Sequence, residues 1–291
     1  MAGQIFDIVI LNGRPAAGKS EVIDYLKSIS TEERIRRFHI GEFEEFDDFP
    51  VLWERFEDDD LFEAMGSPRL ISDRHFEYDG QRYEGYTFKD LAFWHFLIRK
   101  LCHQYERRLR DEPDFHQTHT AVFEFARGTQ HGGFTEAYKH LTDLVASRAN
   151  TIYIKVSWEE SLRKNRRRCN PDKPDSILEH SLEDTKMEFL YKESDWDRFS
   201  GAGAAADTGA DAGAGAGAGA DAGADADTGA GTGADTDADV GYLISGDHRI
   251  PFAVFENEPE KTDKPQVLGA HLEEVCAALW RRRQLLEGAR A

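Results

Sequence analysis

The first residues that could carry out chemistry are two glycines, a lysine and a serine in a fixed spacing. Gly13 is followed, after four residues, by Gly18, Lys19 and Ser20. Glycines let a backbone wrap a phosphate chain without Cβ clashes, and a helix start points free N–H groups at the anion. The Lys19 ammonium could reach the outer phosphates, and the Ser20 hydroxyl could complete a Mg²⁺ shell. The spacing predicts a nucleotide-binding phosphate loop over residues 13–20.

A phosphate loop of this kind must lie between a strand and a helix. The preceding run 8–11 is apolar and mostly β-branched, as in a buried parallel strand, and 21–27 has apolar residues at helical spacing. We therefore expect the backbone of Ala16 and Ala17 to contact phosphate together with the four residues of the pattern. The alternative, a glycine-rich turn without a ligand, is disfavoured by these matching flanks.

A second candidate group follows the apolar run 120–123. Glu124 ends this predicted strand, so its carboxylate would lie beside the phosphate loop and hold a Mg²⁺-bound water or orient an acceptor hydroxyl. Arg127 could bind an anionic acceptor in bidentate geometry. His131 lies in the next glycine-rich turn, whose amides could contact substrate. An ordinary strand that tolerates a glutamate is the alternative interpretation.

A basic helix is predicted after the strand 151–156. Ser157 and Glu160 have the spacing of a capping box, and five of the six residues 163–168 are basic. Arg163 and Arg167 are four residues apart and share a helix face. They could neutralise charge on a transferred phosphoryl group, whereas a solvated basic face is the alternative.

The other patterns predict the remaining elements. An aspartate–glycine pair at 79–80 between aromatic segments indicates a hairpin. The acidic stretch 41–60 has aromatic residues three and four apart, which favours short helices packed on the core over a base-stacking pocket. Helical patterns cover 87–110, 134–147, 176–199 and 271–286, and short strands are predicted at 34–40 and 250–257.

The composition restricts the class of protein. The net charge of −19 argues against a nucleic-acid-binding surface, and no run of eighteen apolar residues predicts a membrane span. The three cysteines are scattered and no basic leader is visible, so we expect a cytoplasmic protein. Residues 200–241 are almost entirely Ala, Gly, Asp and Thr, which predicts a disordered low-complexity loop.

The order of elements resembles that of the P-loop nucleoside and nucleotide kinases over almost the whole chain except 201–240. The stretches NGRPAAGKSE and VSWEESLRKNRRR are similar to a microbial P-loop family, and the Asp-rich, Lys-poor composition resembles that of proteins from salt-loving archaea. The resemblance implies an α/β fold: a three-layer P-loop NTPase sandwich with a mostly parallel five-stranded sheet. This domain would comprise 1–199 and 242–291.

The same resemblance assigns roles to segments and residues. Segment 41–118 becomes an acceptor-side insertion, longer and more aromatic than is usual, and 159–180 becomes a lid that carries the two arginines. Asp73 and Arg74 resemble the Asp-Arg pair near the substrate of some nucleoside and thymidylate kinases, although a surface ion pair explains them about as well. Whether this pair or Glu124 with Arg127 lies nearer the phosphoryl group stays open.

The functional hypothesis is a small-molecule kinase that uses ATP and Mg²⁺. Its phosphate acceptor, its preference for ATP over GTP, and its state as monomer or homodimer stay open. A nucleotide-dependent switch with weak or no hydrolysis is the alternative, although no N-K-x-D stretch indicates a GTPase. A nucleic-acid-processing ATPase is disfavoured by the acidic charge and by the lack of a basic, aromatic groove pattern outside the lid.

Overall fold

The computed structural model describes residues 4–168, 182–201 and 240–289. Eight strands are found in these ranges, six of them in a central sheet and two in a separate hairpin. They are Ile8–Gly13 (β1), Glu42–Asp47 (β2), Ser72–Tyr78 (β3), Gln81–Phe88 (β4), His119–Phe125 (β5), Ala149–Lys155 (β6), Val240–Ser245 (β7) and His248–Glu256 (β8).

Helices connect these strands and cover both faces of the sheet. They are Lys19–Ser28 (α1), Thr31–Phe38 (α2), Asp48–Ala64 (α3), Ala92–Asp111 (α4), Gly133–Lys139 (α5), Asp143–Arg148 (α6), Trp158–Arg168 (α7), Asp184–Tyr191 (α8), a helix that includes 196–201 (α9), and Pro265–Gly288 (α10). Short 3-10 turns occur at Phe115–Gln117 and Thr129–His131. In the described residues, no helix is both long and apolar enough to cross a membrane.

The central sheet has the order β2-β5-β1-β6-β8-β7 and is mostly parallel, as predicted. The predicted count of five strands is wrong because β7 adds a sixth strand, which runs antiparallel to β8. Side chains of β1 alternate between two buried clusters, with Ile8 and Ile10 on one face and Val9 and Leu11 on the other. Helices therefore pack on both faces of the sheet, an α/β arrangement that is consistent with a P-loop NTPase-like fold.

The second strand lies later in the chain than the sequence indicated. Residues 34–40, predicted as a strand, mostly belong to helix α2. Ser30 caps this helix by accepting a hydrogen bond from the Glu33 amide, and acidic residues in the first turn and basic ones in the last complement its dipole. The start of the predicted helical stretch 41–60 is instead β2, and only its later part is helical, in α3.

Two other boundaries differ from the prediction. Residues 87–88 belong to β4, so helix α4 begins at Ala92, and the Asp79–Gly80 hairpin is confirmed. The predicted helix 134–147 is two helices, because Thr142 has extended backbone angles and starts α6. The predicted low-complexity loop lies almost wholly outside the described residues, as do 169–180 of the predicted lid.

Candidate functional site

The phosphate loop follows β1 at the carboxyl edge of the parallel strands. Gly13 and Gly18 have φ angles of 152° and 118°, a region that L side chains rarely adopt. A Cβ atom at Gly13 would lie 2.7 Å from the carbonyl oxygen of Ile154, and one at Gly18 would lie 2.8 Å from Asn257 Nδ2. Backbone angles and close neighbours therefore both require glycine at these positions.

Side chains from two other elements hold the loop in place. Asn257, directly after β8, donates from Nδ2 to the carbonyl of Ala17 at 2.7 Å and to Thr262 Oγ1 at 3.1 Å. Ser161 on α7 donates to the carbonyl of Pro15 at 2.7 Å. These positioning residues were missed in the sequence, although a buried polar residue at the end of a parallel strand beside such a loop is a usable signal.

Lys19 is buried at the first position of α1, and its ammonium group faces the carboxylate that ends β5. Lys19 Nζ lies 3.9 Å from Glu124 Oε1 and donates to the carbonyl of Arg14 at 3.2 Å. Burial lowers the pKa of Lys19, while Glu124 opposes that shift. Ser20 is exposed on the same helical turn. The structure thus brings the predicted residues Lys19, Ser20 and Glu124 to one edge of the sheet.

Two further carboxylates, which the sequence reasoning missed, lie at this edge. Asp47 ends β2 and is the register partner of Glu124 on β5, and Asp48 follows it. Burial, followed by the charges of Glu124 and Asp48, raises the pKa of Asp47 to about 7. Burial also raises the pKa of Glu124, against the opposing effect of Lys19. Like charges held together in a partly buried place disfavour full ionisation.

The carboxylates missed in the sequence could have been found only by locating the second strand correctly. Once β2 is recognised as a core strand parallel to β5, its carboxyl end must lie beside the carboxyl ends of β5 and β1. An acidic pair at that end is then a site candidate. The aromatic spacing in 41–60 hid this signal by favouring helix.

Arg127 and His131 are near the site but are packed inside the protein. Arg127 donates to Asp48 Oδ2 at 2.6 Å and to the carbonyl of Trp94 at 3.2 Å, and its side chain is 2% exposed. His131 stacks on Trp94 with ring centroids 3.8 Å apart. Its Nε2 is buried and has no hydrogen-bond partner among the described residues. In this arrangement Arg127 holds Asp48 and presents little surface to an acceptor.

Three basic residues of α7, Arg163, Lys164 and Arg167, pair with the same carboxylate, Glu260. Arg163 is paired with Glu160 at 2.6 Å and with Glu260 at 3.1 Å, on the surface. Arg167 lines a cavity of about 180 Å³ together with Lys164, Arg168, Glu21 and Glu260.

Among the basic residues of α7, Arg168 is the one whose charge acts on Lys19 and Glu124. Its positive charge acts to lower the pKa values of both groups, although burial raises that of Glu124 overall. Of the two predicted lid arginines, Arg167 lines the cavity beside α1 and Arg163 does not, but both pair with Glu260, which also lines that cavity. Sequence reasoning did not single out Arg168, which lies one residue beyond Arg167 in the same basic run.

Asp73 and Arg74 lie in the β3–β4 hairpin and make surface ion pairs. Arg74 is 2.9 Å from Glu63 and 3.0 Å from Asp60, both on α3, and Asp73 is 3.7 Å from Lys89. These contacts match the surface-pair interpretation. The structure does not bring the two residues into contact with the described phosphate loop.

The residues at the sheet edge suit a magnesium–nucleotide complex. Carboxylate and hydroxyl oxygens are the ligands that Mg²⁺ prefers, and Glu124 and Ser20 supply them. The pKa of Asp47 is raised first by burial and then by the negative charges of Glu124 and Asp48, and Lys19 opposes the shift. Backbone N–H groups of the loop and of the start of α1 can donate hydrogen bonds to phosphate. The arrangement can therefore bind a polyphosphate and a hard cation, and it can accept a proton from a hydroxyl group.

The chain has little detectable similarity to known proteins in sequence or structure. No model of a known protein family matches the chain, and a search of curated proteins found no match. One solved structure that the chain is similar to is a shikimate kinase from Acinetobacter baumannii in complex with shikimate. The two are 14% identical with a TM-score of 0.28, and the match covers 60% of this chain and 73% of that one. A likeness at this level carries no argument about function.

Proposed function

We propose that the protein is a kinase that transfers the γ-phosphoryl group of ATP to the hydroxyl of a small molecule, with Mg²⁺ bound alongside. One observation carries the proposal: Lys19 faces Glu124 across 3.9 Å, next to an aspartate whose pKa is raised to about 7. A site that only binds nucleotide needs no proton acceptor. A transferase to a hydroxyl does.

Asp47 is the proposed proton acceptor. A general base works best when its pKa lies near the operating pH, and burial beside Glu124 and Asp48 places Asp47 there. Its carboxylate accepts a hydrogen bond from the Phe49 amide at 3.0 Å, which fixes one oxygen. The other oxygen would take the proton of the acceptor hydroxyl. Arg127 would hold Asp48, and so the start of α3, in place.

The positive groups would stabilise the transferred phosphoryl group. Lys19 would leave the Arg14 carbonyl and contact the outer phosphates, and the phosphate-loop amides would hold the rest of the chain. Arg168 and Arg167 are the arginines best placed to neutralise developing charge, since both line the cavity next to α1. Glu124 and Ser20 would hold the Mg²⁺, which supplies further charge neutralisation.

The hydrogen bonds of Arg14 favour a second candidate function, a nucleotide-dependent switch. Its guanidinium donates to the carbonyls of Tyr191 and Lys192 at the end of α8, the latter at 2.8 Å. If Lys19 moves from the Arg14 carbonyl to a phosphate, the loop could shift and release α8. This candidate predicts nucleotide-dependent hydrogen exchange in α8 without acceptor-stimulated turnover.

The decisive experiment is a screen of ATP consumption against nucleosides, nucleotides, sugars and small alcohols. It should be run in low and in high KCl, because a chain of charge −19 has strong self-repulsion at low salt. Lys19→Ala is the blank. Lys27→Ala is the matched control, since Lys27 lies on the same helix but pairs on the surface with Glu45 at 2.6 Å.

Turnover stimulated by one acceptor class, lost in Lys19→Ala and kept in Lys27→Ala, would support the kinase. ATP binding without stimulation by any acceptor would overturn it in favour of the switch. A failure of ATP to bind at all, measured by calorimetry, would overturn both.

A further inference from the structure

Three side chains that could bind a metal ion meet where helix α4 passes α5. His95 lies on α4, Glu136 on α5, and His140 directly after α5. One potential ligand atom from each lies within 4.8 Å of the others. We propose that His95, Glu136 and His140 form a binding site for a divalent transition-metal ion of the Zn²⁺ type. This proposal does not depend on the proposed kinase activity.

The arrangement of the three side chains is close to that of a ligand set. The rings of His95 and His140 are stacked with centroids 4.3 Å apart and an angle of 14° between their planes. Glu136 Oε1 lies 3.9 Å from His140 Nε2, while its other oxygen accepts a hydrogen bond from Lys139 at 2.8 Å. Glu136 thus has one oxygen directed toward the histidines and a second held by a neighbour, as ligating carboxylates often have.

The site is also accessible, and the backbone leaves room for it. The side chains of His140 and Glu136 are 32% and 35% exposed, so an ion can enter and keep a water ligand. A Cβ atom at Gly132 would lie 2.8 Å from Glu136 Cβ and 3.5 Å from His95 Cε1. The φ angle of 83° at Gly132 and the short distance to Glu136 Cβ both favour glycine at this position.

The chemistry of the donors selects the ion. Two imidazoles and one carboxylate are typical of Zn²⁺ sites with an open fourth position, whereas Mg²⁺ and Ca²⁺ prefer oxygen-only shells. Tetrahedral Zn²⁺ places neighbouring donors about 3.4 Å apart, so rotation of these half-buried side chains would close the set.

A bound ion would join two elements that flank the buried part of the candidate site. His95 follows Trp94, the residue whose ring stacks on His131, and Glu136 lies one turn after the glycine pair 132–133. The ion would therefore brace the turn that carries His131 against α4. We expect this role to be structural, because the ion would link α4 to the end of α5.

The test uses the full chain without a histidine tag, dialysed against EDTA and titrated with Zn²⁺ in competition with a chromophoric chelator. Wild type should bind one Zn²⁺ per chain at a tight site. His95→Ala, His140→Ala and Glu136→Gln should each weaken that site at least tenfold. His103→Ala is the matched control, since His103 lies exposed on α4, and its affinity should equal that of wild type.

A second readout separates loss of ligands from loss of fold. Co²⁺ bound in place of Zn²⁺ should give visible absorption bands that the His140→Ala and Glu136→Gln variants lack, while their thermal midpoints in EDTA equal that of wild type. Wild-type affinity no tighter than that of the His95→Ala/His140→Ala double variant would overturn the proposal. So would equal Co²⁺ spectra in wild type and the folded Glu136→Gln variant.

Discussion

Asp47 and Asp48 at the start of helix α3 have surroundings opposite to those of Asp59 and Asp60, which lie toward its end. Asp59, near the end of the helix, is fully buried but accepts hydrogen bonds from the amides of Leu70, Ile71 and Ser72 and from the Ser72 hydroxyl, at 2.5 to 2.9 Å. Asp60 accepts hydrogen bonds from Tyr86 at 2.6 Å and from Arg74 at 3.0 Å. Burial acts to raise the pKa of each carboxyl group, but these donors outweigh it and lower both.

At the start of α3, Asp47 has few hydrogen-bond donors around its carboxylate. Asp47 accepts one hydrogen bond, from the Phe49 amide, among the described residues, and its neighbours Glu124 and Asp48 are themselves acids. Burial raises the pKa of Asp47, the charges of Glu124 and Asp48 raise it further, and one donor does not offset them. Asp59 is on the same helix, but its several donors outweigh burial, so the balance of donors against burial and like charge separates a carboxylate that holds the fold together from one that awaits a ligand.

The largest effect should come from removing the proton acceptor. Asp47→Asn keeps the shape of the side chain and its capping of α3, but it cannot take a proton, so kcat should fall by about 10²–10⁴-fold. ATP affinity by calorimetry should stay within a few-fold of that of wild type. Asp58→Asn is the control, since Asp58 is 41% exposed and pairs with Arg55 on the surface of the same helix. Undiminished turnover in Asp47→Asn would remove the distinction between the two pairs.

The end of α3 should respond in stability and not in chemistry. Asp59→Asn replaces one carboxylate oxygen by an NH₂ group, so backbone N–H donors of residues 70–72 lose an acceptor. The free energy of unfolding should therefore fall by about 2–4 kcal/mol. Because the folded-state pKa of Asp59 is lowered, its contribution is complete above pH 4 and is lost as the pH falls below that value. Urea unfolding at neutral and at acidic pH measures both effects. A difference between Asp59→Asn and wild type that grows at acidic pH would contradict this account.

The sequence predicted the part of the site that depends on local spacing. The phosphate loop, its flanking strand and helix, and Glu124 at the end of β5 were identified because each is specified by a few consecutive residues. The strand 120–124 and the Asp79–Gly80 hairpin lie where the patterns indicated. The mostly parallel sheet was implied by the resemblance of the order of elements to that of the P-loop nucleoside and nucleotide kinases.

The parts that depend on tertiary pairing could not be predicted. β2 has no clear alternation, since Phe43 and Phe46 are three residues apart, and only pairing with β5 makes it a strand. The acids that follow it therefore went unnoticed. Arg127 was assigned to an acceptor because a sequence cannot reveal that Asp48 already occupies its guanidinium group. Asn257 contacts a loop 240 residues away in the chain, which no local pattern encodes.

Ionisation of Asp47 in the folded protein should lower the free energy of unfolding. An acid whose folded-state pKa is raised from 3.8 to about 7 binds protons more tightly when folded, so stability falls as the pH rises between those two values. Asp47→Asn removes this penalty. It should raise the free energy of unfolding by about 1–3 kcal/mol at pH 8, with the gain vanishing near pH 4. Urea unfolding at both pH values measures the difference. A loss of stability at pH 8 would show that Asp47 is satisfied by contacts, as Asp59 is.

The smallest expected effect distinguishes burial from the charge of Glu124 as causes of the raised pKa of Asp47. Burial is the larger cause and the charge of Glu124 the next, so Glu124→Gln should lower the pKa of Asp47 below about 7 without returning it to its ordinary value. A ¹³C NMR titration of the Asp47 carboxyl group measures this shift. Glu45→Gln is the matched control, because Glu45 lies on β2 but pairs with Lys27 at 2.6 Å. An unchanged pKa in Glu124→Gln would leave burial and the charge of Asp48 as the causes. Glu124 and Asp47 would then not act as one electrostatic unit at the sheet edge.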